Sequence, residues 1–236
     1  MSPRKKVSVP FRNHLLAAMS SGDLTLLQPN LQTVELRKHA SLESANKKIE
    51  HAYFMEHGFA SVVGGKSNQD VEVGIIGCEG MTGLPVIFGN HRSPHTCYIQ
   101  AAGDGQRITA PALRNAMTQS ATLQALLLKY AQAFMIQTTY TAIANARGTL
   151  EERLARWLLM SHDRIDGDQL PLTHEFLSLM LAVRRPGVTD ALHALEGRGL
   201  IHANRAAIDV LDSKGLINCA NGLYGTPETE YQRLFG

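Results

Sequence analysis

The chain has 236 residues, 44% of them hydrophobic, with a formal net charge of +2. That is enough apolar material for about two globular domains with cores of their own. The small net charge excludes a protein that coats nucleic acid through overall positive charge.

The opening segment, MSPRKKVSVP, is basic but no apolar run follows it, so it does not read as a signal peptide. No stretch approaches the length of a membrane span, and the expectation is a cytoplasmic chain with no membrane partner. Residues 13–30 read as a short helical lead-in, with Leu15, Leu16, Leu24, Leu26 and Leu27 apolar. From Val34 to about Ile108 the pattern becomes short strands: Thr33–Leu36, Ala52–Met55, Ala60–Val63, Val71–Ile76 and Cys97–Ala101. Glycines punctuate them, and closely spaced strands of this kind predict a small antiparallel barrel or sandwich. Cys78, Cys97 and Cys219 stand alone without CxxC spacing, which indicates neither a zinc knuckle nor a disulfide framework.

Residues 110–165 read as helical. Leu123, Leu127, Ala131, Phe134, Thr138 and Ala142 fall at steps of three or four along one face. The stripe suits burial against the chain's own barrel or self-pairing in a dimer. Thr149 to Glu152 fits a capping box opening a new helix, Glu151–Ile165, with Leu154, Trp157, Leu158 and Leu159 inward.

The stretch LTHEFLSLMLAVRRPGVTDALHALEGRGLI (172–201) predicts two helices and a tight turn. Thr173 is a good N-cap. Phe176, Leu177, Met180 and Leu181 recur at helical spacing. In the second helix Val188, Ala191, Leu192 and Leu195 point inward, while Arg184, Arg185, Thr189, Asp190 and His193 point outward. Pro186 fits the first turn, where its missing N–H costs nothing. Ala206–Val210 completes a small β-wing. Such a helix-turn-helix is suited to the major groove of DNA. Residues 151–236 carry nine Lys/Arg against 12 Asp/Glu. Any DNA-binding face there must therefore be local, with Arg184, Arg185, Arg198 and Arg205 as its candidates.

Barrel, long helix, helix-turn-helix and wing, in that order, resemble the CRP/FNR family of bacterial transcription regulators along nearly the whole chain. VEVGIIGCEGMTGL (71–84) resembles the glycine-rich end of the family's cyclic-nucleotide-binding β-roll. ERLARWLLMSHDRI (152–165) resembles the helix entering its DNA-binding domain, and residues 172–201 its helix-turn-helix. The resemblance implies an α+β fold in three parts. These are a β-roll sensor over 1–120, a dimerisation helix over 121–147 and a winged helix-turn-helix over 148–236. It further implies a homodimer on a near-palindromic double-stranded operator, with RNA polymerase as a further partner.

In the family, base-reading side chains come from the opening of the second helix and from one turn further on. Those positions here hold Arg185, Pro186 and Asp190. Arg185 suits forked hydrogen bonding to guanine. Pro186 can make no polar base contact, and Asp190 can accept only from cytosine, so the expected operator differs from that of the cyclic-AMP receptor. Arg184, Thr173 and Thr189 are the phosphate-contacting candidates.

The sensor cassette departs from the family's pattern. The effector-pocket positions are Gly80, Met81, Gly83, Leu84, His95 and Thr96. Met81 stands where cyclic-nucleotide binders carry the ribose-holding glutamate. His95 and Thr96 stand where they carry the phosphate-binding Arg-Ser or Arg-Thr pair. An anionic phosphate without a firm cation is costly to bury, so a cyclic nucleotide is not the expected ligand unless Arg92 and Ser93 substitute. The N-terminal cysteine cluster of the iron–sulfur members is missing, the histidines show no spaced metal pairs, and the effector is unknown. No nucleophile–base–orienter set, paired carboxylates or phosphate-cradling loop points to an enzyme. The alternative is a small-molecule sensor whose helix-turn-helix serves protein contact instead of DNA.

Overall fold

The computed structural model describes residues 11–65, 70–204 and 206–236. The lead-in forms two short helices, α1 (His14–Ala18) and α2 (Ser21–Leu27), whose Leu15, Leu16 and Leu27 are fully buried. Ser20 caps α2 in a capping box with Asp23, and the Asp23 carboxylate also accepts from the Ser120 and Thr122 hydroxyls. One buried carboxylate thus fastens the lead-in to the helices that follow the strands.

Seven strands build the roll. They are β1 (Gln32–Leu36), β2 (Ser41–Glu43), β3 (His51–Met55), β4 (Phe59–Gly64), β5 (Val71–Ile76), β6 (Thr96–Ala101) and β7 (Gly103–Thr109), with the short helix α3 (Leu84–Ile87) between β5 and β6. They pair antiparallel in two sheets, ordered β1-β7-β3 and β2-β6-β4-β5. Phe54, Phe59, Ile75, Ile76, Ile99 and Ile108 fill the interior. The chain changes sheet where Gly58, at φ +72°, and Gly103 bring backbones together. A Cβ on Gly103 would lie 2.0 Å from the His57 carbonyl oxygen, so only glycine fits. The five predicted strands are present, and β2 and β7 are additional.

Helix α4 (Ala110–Gln119) leads into α5 (Ala121–Arg147), 27 residues and roughly 40 Å long. Leu123, Leu127, Tyr130 and Ala131 of α5 are buried within the chain. Gln137 is 7% exposed, and its side chain pairs with the backbone of β5, accepting from Ile75 N–H at 2.8 Å and donating to Ile75 C=O at 3.1 Å. Gly74 makes room for this, since a Cβ there would lie 2.8 Å from the Gln137 oxygen. The predicted stripe is therefore split: Leu123, Leu127 and Ala131 are buried in the chain itself, Phe134 and Thr138 are half-buried, and Ala142 is exposed. The large apolar residues left on the surface of α5 are Leu128, Met135 and Ile143, on another face. The helix is apolar on two sides, and spacing alone does not say which side its own roll covers.

The C-terminal part comprises α6 (Leu150–His162), β8 (Gln169–Leu170), α7 (His174–Met180), α8 (Arg185–Gly197), β9 (Ile201–Ala203), β10 (Ile208–Val210), α9 (Ser213–Cys219) and α10 (Thr226–Phe235). Thr149 and Glu152 form the predicted capping box. The wing is a three-stranded sheet, ordered β8-β10-β9. Helix α10 returns to the roll, where Tyr231 stacks on Phe235 at 4.6 Å and donates to the Glu79 carbonyl at 2.7 Å. Among the described residues no helix is long and apolar enough to cross a membrane.

Candidate nucleic-acid interface

Leu154, Leu158, Leu177, Met180, Val188, Leu192, Leu195 and Leu216 form one buried cluster under α6, α7, α8 and α9. The Thr173 hydroxyl accepts from Phe176 N–H at 3.2 Å and starts α7, as its N-cap position predicts. Between α7 and α8 the backbone turns through Ala182 at φ +52°, a left-handed conformation that costs a residue with a Cβ about 1 kcal/mol. Arg153 of α6 donates to the Leu181 carbonyl at 2.5 Å and braces the corner.

Helix α8 begins at Arg185, with Arg184 as N-cap and Pro186 in the first turn. Val188, Ala191, Leu192 and Leu195 are buried as predicted. Arg184, Arg185, Pro186, Asp190 and His193 are exposed. No side chain caps the α8 N-terminus, so the positive end of the helix is open to an anion. Thr173 and Arg184 line one groove, and Arg185, Thr189 and Asp190 follow Arg184 within the first two turns of α8.

One predicted member of the basic face stands apart. Arg198 is the C-cap of α8, roughly 20 Å along the helix from Arg185, and donates to Cys219 Sγ at 3.3 Å. Arg205 lies outside the described residues. The surface instead has a histidine that the spacing did not single out. His174 Nδ1 lies 3.1 Å from Thr189 Oγ1, whose hydroxyl donates to the Arg185 carbonyl at 3.2 Å. Partial burial, with Arg185 and His193 nearby, lowers the His174 pKa. Thr189 is thus held by α7 and is half-buried. The sequence clue was a histidine directly after an N-cap threonine.

In the roll, a cavity of about 350 Å³ is lined by Gly83, Leu84 and His95 together with Glu43, Arg92 and Ser93. Gly83 N–H donates to Glu43 Oε1 at 2.7 Å, and burial raises the Glu43 pKa. Ser93 Oγ lies 3.0 Å from His95 Nδ1. Three predicted pocket residues are not on this wall. Met81 is fully buried beside Phe54, and its carbonyl accepts from Tyr130. Gly80 packs under the Tyr130 ring. Thr96 pairs with Val63 in the sheet. Glu43, from β2, is the carboxylate that sequence reasoning missed, because β2 is too short to show a pattern. Among the described residues no cluster of three metal-ligating side chains occurs.

The geometry agrees with comparisons to known proteins. Residues 152–219 match the family model of the Crp-like helix-turn-helix domain. No curated protein sequence matches the chain. Among solved structures, the chain is similar to a transcriptional regulator of the CRP/FNR family from Eubacterium rectale. The two are 19% identical, with 88% of this chain and 98% of that one covered and a TM-score of 0.70. FixK2 from Bradyrhizobium japonicum is 15% identical, with 80% and 96% covered and a TM-score of 0.69. The c-di-GMP-responsive global regulator CLP of Xanthomonas campestris is 16% identical, with 81% and 99% covered and a TM-score of 0.63. Residues 152–219 are a Crp-like helix-turn-helix domain, carried on a chain with the fold of the CRP/FNR transcriptional regulators.

Proposed function

We propose that this chain is a sequence-specific DNA-binding transcription regulator that acts as a homodimer. The observation that carries the reading is the uncapped start of α8, where exposed Arg184 and Arg185 sit on a buried helix-turn-helix core. Arg185 reads a guanine, while Arg184, Thr173 and the first-turn backbone hold phosphates. His174 keeps Thr189 and the start of α8 in register. The second copy pairs along the exposed apolar face of α5 formed by Leu128, Met135 and Ile143. Pairing there brings two recognition helices to successive major grooves, about 34 Å apart.

The roll cavity is the natural place for an effector to act. Its lining pairs the Glu43 carboxylate, which opposes an anionic ligand, with Arg92, which favours one. Contact with RNA polymerase, in turn, follows from the reading as a regulator. Selection from random duplexes tests the proposal. The expected result is enrichment of a near-palindrome with two half-sites. Recovery of unselected sequence would instead favour a helix-turn-helix used for protein contact.

A further inference from the structure

Glu72, on β5, is buried in the seam between the roll and the DNA-binding domain, at 5% exposure. Ser61 on β4 donates to its Oε2 at 2.5 Å, and Trp157 on α6 donates to its Oε1 at 2.5 Å. The second bond crosses the seam. Trp157 also packs against Phe176 of α7 with ring centroids 5.8 Å apart. A line of contacts therefore runs from the roll through Glu72 and Trp157 to the first helix of the helix-turn-helix.

Other ionisable groups surround this carboxyl. Arg156 lies on α6 and Arg164 just beyond it, and both favour the ionised form. Arg156 is engaged with the Leu223 carbonyl and the Thr141 hydroxyl, and Arg164 with Glu79. Tyr98 of β6 and Asp70, just before β5, lie on the roll side. Burial outweighs the two hydrogen bonds and the two arginines, and the Glu72 pKa is pushed up to about 7. Along the same seam, Asp70 and Val71 face Thr173, Phe176 and Arg184 across an open groove. While the domains are docked, the Asp70 carboxylate shares this groove with two proposed phosphate-contacting residues, where its charge disfavours a DNA strand.

We propose that Glu72 is a positioning residue that docks the DNA-binding domain on the roll through Trp157, and that loss of its proton loosens the docking and frees the helix-turn-helix. Only the last clause rests on the DNA-binding reading. The docked carboxyl keeps its proton up to about pH 7, whereas a released and hydrated one loses it near its ordinary value of 4.5. Between those values the docked state binds more protons. Docking therefore weakens as pH rises, by up to about tenfold per pH unit, and levels off above 7.

Trp157 is the chain's single tryptophan and reports on this contact directly. A fluorescence titration of the full chain should show a step with its midpoint near pH 7. Glu72→Gln stays neutral and keeps an acceptor for Trp157, so its step should vanish. Ser61→Ala removes one bond that favours the ionised form, so its midpoint should move upward. On a selected duplex, the affinity of the wild type relative to Glu72→Gln should grow from pH 5 to 7 and then level off. Titration of His174, which both proteins share, cancels in that ratio. A step that survives in Glu72→Gln, or an unmoved midpoint in Ser61→Ala, would overturn the proposal. If no duplex binds either protein, the DNA-binding reading fails while the fluorescence result still decides the docking.

Discussion

Arg164 and Glu79 form an ion pair of 2.8 Å at the junction of the roll and the helix-turn-helix domain, with side chains only 8% and 17% exposed. Arg164 also donates to the Met160 carbonyl at 2.6 Å. Breaking a buried pair by removing one partner leaves an uncompensated charge, which costs about 3–5 kcal/mol. Arg164→Ala should lose that much stability in urea denaturation. The double variant Glu79→Gln, Arg164→Met should recover most of it. Equal losses in the two proteins would mean that the pair matters for packing and not for charge.

Gly80 is expected to act through packing. A Cβ on it would lie 2.2–2.5 Å from the Tyr130 hydroxyl and ring. Gly80→Ala should therefore destabilise the chain by about 1–3 kcal/mol, the usual cost of overpacking. In a Tyr130→Ala background the same change should cost little, since the clash is gone. Additive losses measured in urea would argue against this assignment.

Met135 is 64% exposed and Leu128 42%. They lie seven residues apart, two turns along one face of α5. Met135→Glu and Leu128→Glu place charge in the proposed dimer seam. Sedimentation velocity should show a dimer for the wild type and monomers for both variants. A monomeric wild type would remove the homodimer from the account.

Much of the helix-turn-helix was legible because local rules decide it. Thr173 caps α7, Thr149 and Glu152 cap α6, and the apolar spacing of α8 matches its buried face. Strand β7 was not legible: GDGQRIT has two glycines and little alternation, and it is held by pairing with β1 and β3 on either side. The division of labour on α5 depends on what packs against it, which spacing does not encode. The bond between Trp157 and Glu72 joins residues 85 apart and leaves no local trace. Helix α10 was not read from the sequence, although Pro227 and Glu228 mark its first turn, after a joint with positive φ at Asn221, Gly222 and Gly225.

Arg184 is proposed to meet phosphate and not a base. Arg184→Ala should weaken binding to all duplexes by a similar factor. It should also reduce the slope of log affinity against log salt by about 1. A loss confined to one preferred sequence would reassign Arg184 to base reading.

The most direct test of the central claim is a fluorescence-anisotropy titration of a selected duplex, and of its single-base variants, with wild-type protein and Arg185→Ala. The account predicts that Arg185→Ala loses about 1–3 kcal/mol of affinity, roughly 5- to 150-fold, and no longer distinguishes one base pair in each half-site. Unchanged affinity with unchanged base preference would contradict it.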